Sequence, residues 1–391
     1  MIRGRVVAVT GDVALVRTAR GDVKVKHPGS VEPGDLVQLE GAGAPLERVR
    51  PYLRGDYPTP DTELARLGRV RLGNLAARSR ALGALRAFFA SRDFVEVETP
   101  LRVKAPGLEV HLTAIESEGS FLITSPEYQM KRLLAAGMER IYQVCKCFRA
   151  EEEGAHHASE FTMCEWYRAW DSIAAIEDDV QALVAEVART VNGEAIVTVG
   201  GRRIDVGGAW KRMTVAEAMK EWAGVVIDGD ESSEALKDKL VDAGIAFGTA
   251  TAWDDLFYCA FVDRVEPAIA ALDEPLLLVD WPVQLAALAR RSPANDRVVE
   301  RFEAYVGGIE LANAFGELTD PLEQRARFED DLAARRERGR AIYPIDEKLI
   351  AALTEGLPPS AGVALGVDRL IMLVLGAEHI RDVLAFTSDE L

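Results

Sequence analysis

Three glutamates, Glu303, Glu310 and Glu317, recur every seven residues in an otherwise apolar stretch. Carboxylates in apolar surroundings need cations, so the spacing points to a metal ion or a substrate ammonium held in a cleft. Mg²⁺ suits such a set, because it takes a few carboxylates and completes its shell with water and substrate phosphates. A substrate ammonium suits the remaining acid, and Leu311 and Asn313 lie in the same segment. Structural salt bridges to Arg301 or Arg325 would produce the same pattern.

A second cluster reads Phe148-Arg149-Ala150-Glu151-Glu152-Glu153, then His156-His157, Glu160-Phe161 and Glu165-Trp166-Tyr167. Arginine is a planar fork for phosphate oxygens, a loop histidine can reach a terminal phosphate, and an aromatic face such as Phe161 can stack on a base. The set suits a nucleoside triphosphate; a solvated hairpin tip is the plainer alternative. A third segment, Gly362-Val363-Ala364-Leu365-Gly366-Val367-Asp368-Arg369-Leu370, places glycines where a strand could approach a flat ligand and an arginine where it could cover the other face of a base. A core strand with a surface arginine would read alike. The fourth, Thr124-Ser125-Pro126-Glu127-Tyr128-Gln129-Met130-Lys131, is first of all a helix start with Ser125 as cap. Glu127 gains interest from the other acids.

These residues need elements to hold them. Arg5–Val9, Val13–Thr18, Val23–Lys26, Leu36–Leu39 and Leu46–Val49 read as short strands, with Gly11-Asp12 and Gly21-Asp22 as turns. Five strands in so short a span predict a small OB-like or SH3-like barrel over 1–55, joined by a linker at Tyr52–Pro60 to a larger domain, 56–391. Apolar residues from Leu72 to Phe88 recur at three and four, predicting a helix over 70–92. A strand over Phe94–Val97 follows, ending at Pro100. Residues 174–190 predict another helix. Arg140–Tyr167 reads as strand, loop, strand; Arg301–Leu318 is strand-like; Gly362–Val374 is a strand entering a helix. Strand pairs separated by helices, without βαβ alternation, predict an α+β fold with a mainly antiparallel sheet flanked by helices.

The chain has 391 residues, 28% of them charged, with a net charge of −17. Residues 1–54 hold nine Lys and Arg against six Asp and Glu, a net +3, which leaves −20 for the rest. An extended nucleic-acid surface is disfavoured on the large domain. Cys145, Cys147, Cys164 and Cys259 match neither a disulfide framework nor a zinc pattern, and the first three read as strand-core thiols. The apolar run Gly362–Ala377 contains Asp368 and Arg369, so no membrane span is expected, and a cytoplasmic location fits. No GxxxxGK[ST] loop, GxGxxG or HExxH occurs.

Together the segments resemble class II aminoacyl-tRNA synthetases: the helix and strand up to Pro100 as motif 1, Phe148–Tyr167 as motif 2 and Gly362–Leu370 as motif 3. More narrowly, Ala105–His111, Thr124–Leu134, Tyr142–Arg149, Glu160–Arg168, Gly308–Thr319 and Gly362–Leu373 are similar to elongation factor P–lysine ligases, and the likeness runs from about residue 65 to the end. It implies activation of lysine or β-lysine by ATP and transfer to a lysine of elongation factor P, in a cytoplasmic homodimer. By that likeness Arg149 bridges carboxylate and α-phosphate, and Glu303 and Glu310 hold Mg²⁺. Phe161 and Arg369 enclose adenine beside Gly366 and Leu311, and His157 and Glu151 support the nucleotide. Ser125, Glu127, Glu165, Tyr167, Asn313 and Glu317 receive the amino acid. Ala364 stands where lysyl-tRNA synthetases usually carry glycine, and its methyl would favour a shifted amine. Two departures are visible. The family's His-Asn-Pro-Glu-Phe is His157-Ala158-Ser159-Glu160-Phe161 here, and the first 55 residues lie outside the pattern. The alternatives are a short tRNA-acylating enzyme and a non-catalytic paralogue.

Overall fold

In the computed structural model residues 1–391 are described except 19–20, 27–29, 41–43, 45, 61, 63–64 and 66. The chain divides into two compact units, Met1–Gly73 and Asn74–Leu391. The first is an antiparallel sheet of β1 (Ile2–Thr10), β2 (Val13–Thr18), β3 (Gly21–Lys26), β4 (Leu36–Leu39) and β5 (Glu47–Arg50), in the order β3-β2-β1-β4-β5. Strict alternation puts Val6, Ala14, Val16, Val25, Val37 and Leu39 on one buried side, as period-2 patterning requires. Asp35 is buried among them and held by Arg48 at 2.6 Å and by two backbone amides.

The second unit has a nine-stranded sheet. Its strands are β6 (Val95–Glu96), β10 (Arg140–Phe148), β11 (Glu160–Ala169), β14 (Lys211–Thr214), β15 (Leu276–Pro282), β16 (Arg291–Ser292), β17 (Asn295–Val306), β18 (Ile309–Gly316) and β19 (Ser360–Gly366). The order is β14-β15-β17-β18-β19-β11-β10-β6, with β16 paired to β17. Pairing is antiparallel except at the edges, β14 with β15 and β6 with β10. Three short strands, β7 (Arg102–Val103), β8 (Glu116–Ser117) and β9 (Ser120–Leu122), form a separate sheet, and β12 (Ile196–Val199) pairs β13 (Arg202–Asp205). The predicted α+β class and mainly antiparallel sheet are what the chain adopts.

One sheet face packs on α1 (Arg69–Ala90), α3 (Ile173–Asn192) and the C-terminal α6 (Val367–Leu375), around Phe89, Trp166, Val184, Phe302 and Leu370. The helix predicted over 70–92 forms, but its buried stripe is Ala77, Ala81, Ala84, Leu85, Phe88 and Phe89, and Leu72 is exposed. Alanines on that stripe let the helix lie close to the sheet. Towards the other face lie α2 (Glu127–Ala135), α4 (Pro321–Glu337) and α5 (Glu347–Gly356), packed around Tyr128, Phe328 and Leu349. Residues 215–270, silent in sequence, form short helices around Phe257, Phe261 and Trp281. Among the described residues no helix is long and apolar enough to cross a membrane.

Candidate active site

Sheet register brings the separate sequence segments together. One row across the sheet runs Gln143, Glu165, Ala364, Asn313, Glu303 on β10, β11, β19, β18 and β17; the next runs Ile141, Tyr167, Gly362, Phe315, Arg301. Residues opposite each other on neighbouring strands share a face, so Glu165 and Glu303, distant in sequence, fall in one row with Ala364 and Asn313 between them. Gly362 is needed for this: a Cβ there would meet the Tyr167 ring at 2.3 Å.

One end of the face is a buried cluster of acids. The Tyr167 hydroxyl donates to Glu165 Oε1 (2.5 Å), and Ser125 Oγ donates to Glu165 Oε2 (2.7 Å). Ser125 Oγ also accepts the Glu127 amide (3.0 Å), so the predicted cap doubles as a support for Glu165. Burial, reinforced by the field of Glu127, pushes the Glu165 carboxyl far above its ordinary range. Glu317 is pushed up to about 7 by burial, against the pull of Lys131 and with a further push from Glu127.

Lys131 is the residue that sequence reading missed. It is 1% exposed, and its Nζ lies 2.5 Å from both Glu127 Oε1 and Glu317 Oε2. Burial alone would lower its pKa, but the two carboxylates overrule that and raise it, so the ammonium stays charged. The Glu127-x₃-Lys131 spacing on α2 was the available signal, although it describes a surface pair equally well.

Beside this cluster lies a cleft of about 240 Å³ lined by Arg149, Glu152, His157, Phe161, Glu310, Leu311, Asn313, Ala364, Gly366 and Arg369. Arg149 and Glu310, from two different hairpins, thus face one space. The Arg149 guanidinium lies 5.1 Å from the Phe161 ring centroid and 3.7 Å from Glu152, and its Nε is buried without a partner. Arg369 reaches the Glu310 carbonyl (2.9 Å), Glu310 Oε2 (3.3 Å) and His157 Nε2 (2.6 Å). Burial, then Arg369, lowers the His157 pKa, which leaves a neutral imidazole able to accept from that guanidinium. At Gly366 an added Cβ would meet only the Arg369 stem, at 3.5 Å; protein packing does not require this glycine. Asn313 Oδ1 is also buried without a partner. Unpartnered buried polar atoms are rare in folded proteins, and these two border one cleft.

Two of the residues predicted for the nucleotide and the metal are not brought into the cleft. Glu151 adopts φ +65° and is exposed, 3.6 Å from Arg340, while its neighbour Glu152 lines the cleft. The left-handed turn swings Glu151 outward. Glu303 is buried behind the lining, with Oε1 taken by Arg301 (2.6 Å) and Oε2 by the Tyr305 hydroxyl (2.5 Å). Burial pushes it up to about 7, with Arg301 opposing and Glu310 adding to the rise. Among the described residues no group of three or more His, Cys, Asp and Glu has metal-holding geometry. Of the carboxylates that line the cleft, Glu152 lies beside Arg149 and Asp368 is taken by Arg78, and Glu310 fits an ion coordinated mostly by phosphates and water.

A buried tie underpins the cleft. Asp368 accepts from Arg78 on α1 (2.5 Å) and from the Thr162 amide on β11 (2.6 Å), and Arg78 also donates to Thr162 Oγ1 (2.9 Å). It locks together α1, β11 and α6, the three segments likened to motifs 1, 2 and 3.

A profile of the family described as tRNA synthetases class II (D, K and N) matches residues 67–390. An elongation factor P–(R)-beta-lysine ligase of Enterobacter sp. (strain 638) is 42% identical over 330 residues, covering 81% of this chain and 95% of its own. The enzyme of that name in Vibrio cholerae serotype O1 is 43% identical over 327 residues, with coverage of 81% and 95%, and that of Erwinia tasmaniensis 41% over 332, with 81% and 96%. Sheet order, cleft and sequence likeness agree: the chain belongs to the class II tRNA synthetase family and groups within it with the elongation factor P–(R)-beta-lysine ligases.

Proposed function

We propose that this protein activates a lysine-type amino acid, (R)-β-lysine or lysine, with ATP and transfers it to a lysine side chain of elongation factor P. The observation that carries the reading is the junction of two environments: a buried acid cluster, suited to ammonium groups, opens beside a cleft where Arg149, Arg369 and Glu310 suit a triphosphate.

In the first step the amino-acid carboxylate attacks the α-phosphorus, the bond to the β-phosphate oxygen breaks, and pyrophosphate leaves. Arg149, fixed against Phe161, bridges carboxylate and α-phosphate. Positioning and charge stabilisation supply most of the acceleration. Phe161 and Arg369 border the adenine position, Gly366 and Leu311 leave it room, and neutral His157 donates or accepts beside the phosphates. Glu310 would hold Mg²⁺, which neutralises phosphate charge, with Glu303 behind it. Glu127, Glu165, Tyr167, Asn313 and Glu317 receive the amines, and neutral side chains are rejected because the acids would stay unpaired. The Ala364 methyl, between Glu165 and Asn313 in the row, shifts the preferred amine position by an increment of about 1 kcal/mol. In the second step the acceptor amine attacks the acyl carbon, the bond to AMP breaks, and the amine releases a proton.

The test offers labelled lysine or (R)-β-lysine and ATP to the enzyme with elongation factor P and bulk tRNA in one tube. Label is expected on a lysine of elongation factor P. Label on tRNA alone would shift the reading to a short tRNA-acylating enzyme, which the net +3 charge of residues 1–54 favours.

A further inference from the structure

One buried acid beside the amino-acid end takes no part in the scheme above. Glu109 sits in the loop between β7 and β8, and its Oε2 is buried without a hydrogen-bond partner. The loop is held rigidly. Arg335, fully buried, donates to the Glu109 carbonyl (2.8 Å) and to the Leu112 carbonyl (2.9 Å), and its guanidinium stacks on Tyr343. The Tyr128 hydroxyl accepts the Leu108 amide (3.2 Å). Glu109 shares a cavity of about 10 Å³ with Thr124, Ser125 and Glu127, roughly one water or one ammonium in size. Gly107 leaves the carboxylate its place: an added Cβ would meet Glu109 Oε2 at 2.3 Å.

Charge accounting points the same way. Glu109, Glu127, Glu165 and Glu317 converge on one region, and Lys131 is the buried cation between two of them. Ser125 and Tyr167 serve Glu165, whereas at Glu109 the residue's own backbone amide assists the carboxylate and Oε2 has no partner. Burial, then the field of Glu127, raises the Glu109 pKa, while Arg149 and Lys131 act to lower it. The Phe148 amide donates to the Ile123 carbonyl (2.9 Å) and the Ala150 amide to the Thr113 carbonyl (2.8 Å), so Arg149 flanks the segments that line the Glu109 cavity, which puts Glu109 at the carboxylate end of a bound amino acid and Glu165, Tyr167 and Glu317 at the far end.

We propose that Glu109 receives the ammonium group nearest the substrate carboxylate, together with Ser125 and Glu127, and so determines which amino acids with an amine near the carboxylate are accepted. The assignment rests on the functional reading above. The experiment is amino-acid-dependent ATP–pyrophosphate exchange by the full chain and by Glu109→Gln, with lysine, (R)-β-lysine and 6-aminohexanoic acid, which lacks that amine. Removing one charged partner predicts a rise of roughly 10- to 100-fold in KM for lysine or β-lysine. KM for ATP and kcat should stay near those of the unmodified enzyme, and the preference over 6-aminohexanoic acid should be lost. A merely structural role would not move that preference. Should Glu109→Gln fail to fold, Gly107→Ala keeps the charge but displaces the carboxylate, and the same rise is expected. A KM within about twofold of the unmodified enzyme's in a folded variant, with the preference intact, overturns the proposal. Absence of exchange by the unmodified enzyme with every amino acid would instead defeat the functional reading itself, and this assignment with it.

Discussion

Lys131 changes the meaning of the acids around it. Glu127 and Glu317 already share one ammonium, so in the proposed reaction a substrate amine would join a network. The acids were legible in the sequence because carboxylates in apolar stretches are unusual. Lys131 was not, because an i,i+4 pair on a helix is ordinary on a surface and only tertiary packing buries it. Glu151 and Glu152 show the same limit: which of two adjacent acids faces the cleft depends on the left-handed φ at Glu151, and three consecutive glutamates give no hint of it. The titration of Glu317 sets a testable pH dependence. An ammonium binds its ionised form, and its pKa is pushed up to about 7 by burial. KM for the amino acid should therefore rise as pH falls below about 7, approaching tenfold per unit, and level off above pH 8. Steady-state exchange kinetics from pH 5.5 to 8.5 measure this. A KM that is flat across the range would remove Glu317 from amine binding.

Strands, more than helices, determine the site at the scale of elements. The strand pairs around motif 2 and Glu310, and the strand-to-helix passage at Gly362–Val374, were readable because each is a long β-rich run bounded by a turn. The order in which strands pair was not, since register across β10, β11, β19, β18 and β17 is fixed by burial of both faces rather than by any local signal. The sequence suggests Gly362 for a ligand's approach, yet its nearest neighbour is Tyr167. Gly362→Ala should push that ring aside and raise KM for the amino acid about tenfold or more while sparing KM for ATP; equal losses for both substrates would point to general distortion instead. The Arg78–Asp368 tie gives a stability prediction. Asp368 is 2% exposed, and removing its partner leaves an uncompensated buried charge. Arg78→Ala should cost about 3–5 kcal/mol in denaturant unfolding of the Asn74–Leu391 unit. A loss below about 1 kcal/mol would mean that water reaches Asp368.

The whole molecule carries its acid excess inside as well as outside. Besides Glu317, Asp331 is pushed up to about 7, by burial and then by Glu109. Both carboxyls ionise near pH 4 in an unfolded chain. Between about pH 4.5 and 7 the folded protein thus holds protons that the unfolded chain has released, and the contribution of these groups to stability falls as pH rises through that window. The double variant Glu317→Gln, Asp331→Asn should gain in melting temperature relative to the unmodified protein between pH 5 and pH 8; a constant difference would contradict the raised pKa values. The broad class, the barrel-like first unit and the large sheet could be read from patterning. The helices of residues 215–270 could not, because their apolar residues serve a local core and bear on no motif. In the proposed reaction Arg149, Glu310 and the acid cluster act on one ATP and one diamino acid. The decisive measurement is pyrophosphate exchange dependent on lysine or (R)-β-lysine, in the unmodified protein and in Arg149→Ala. Exchange is expected in the first and a loss of about 10³-fold or more in the second, with melting unchanged. Undiminished exchange in Arg149→Ala would contradict it.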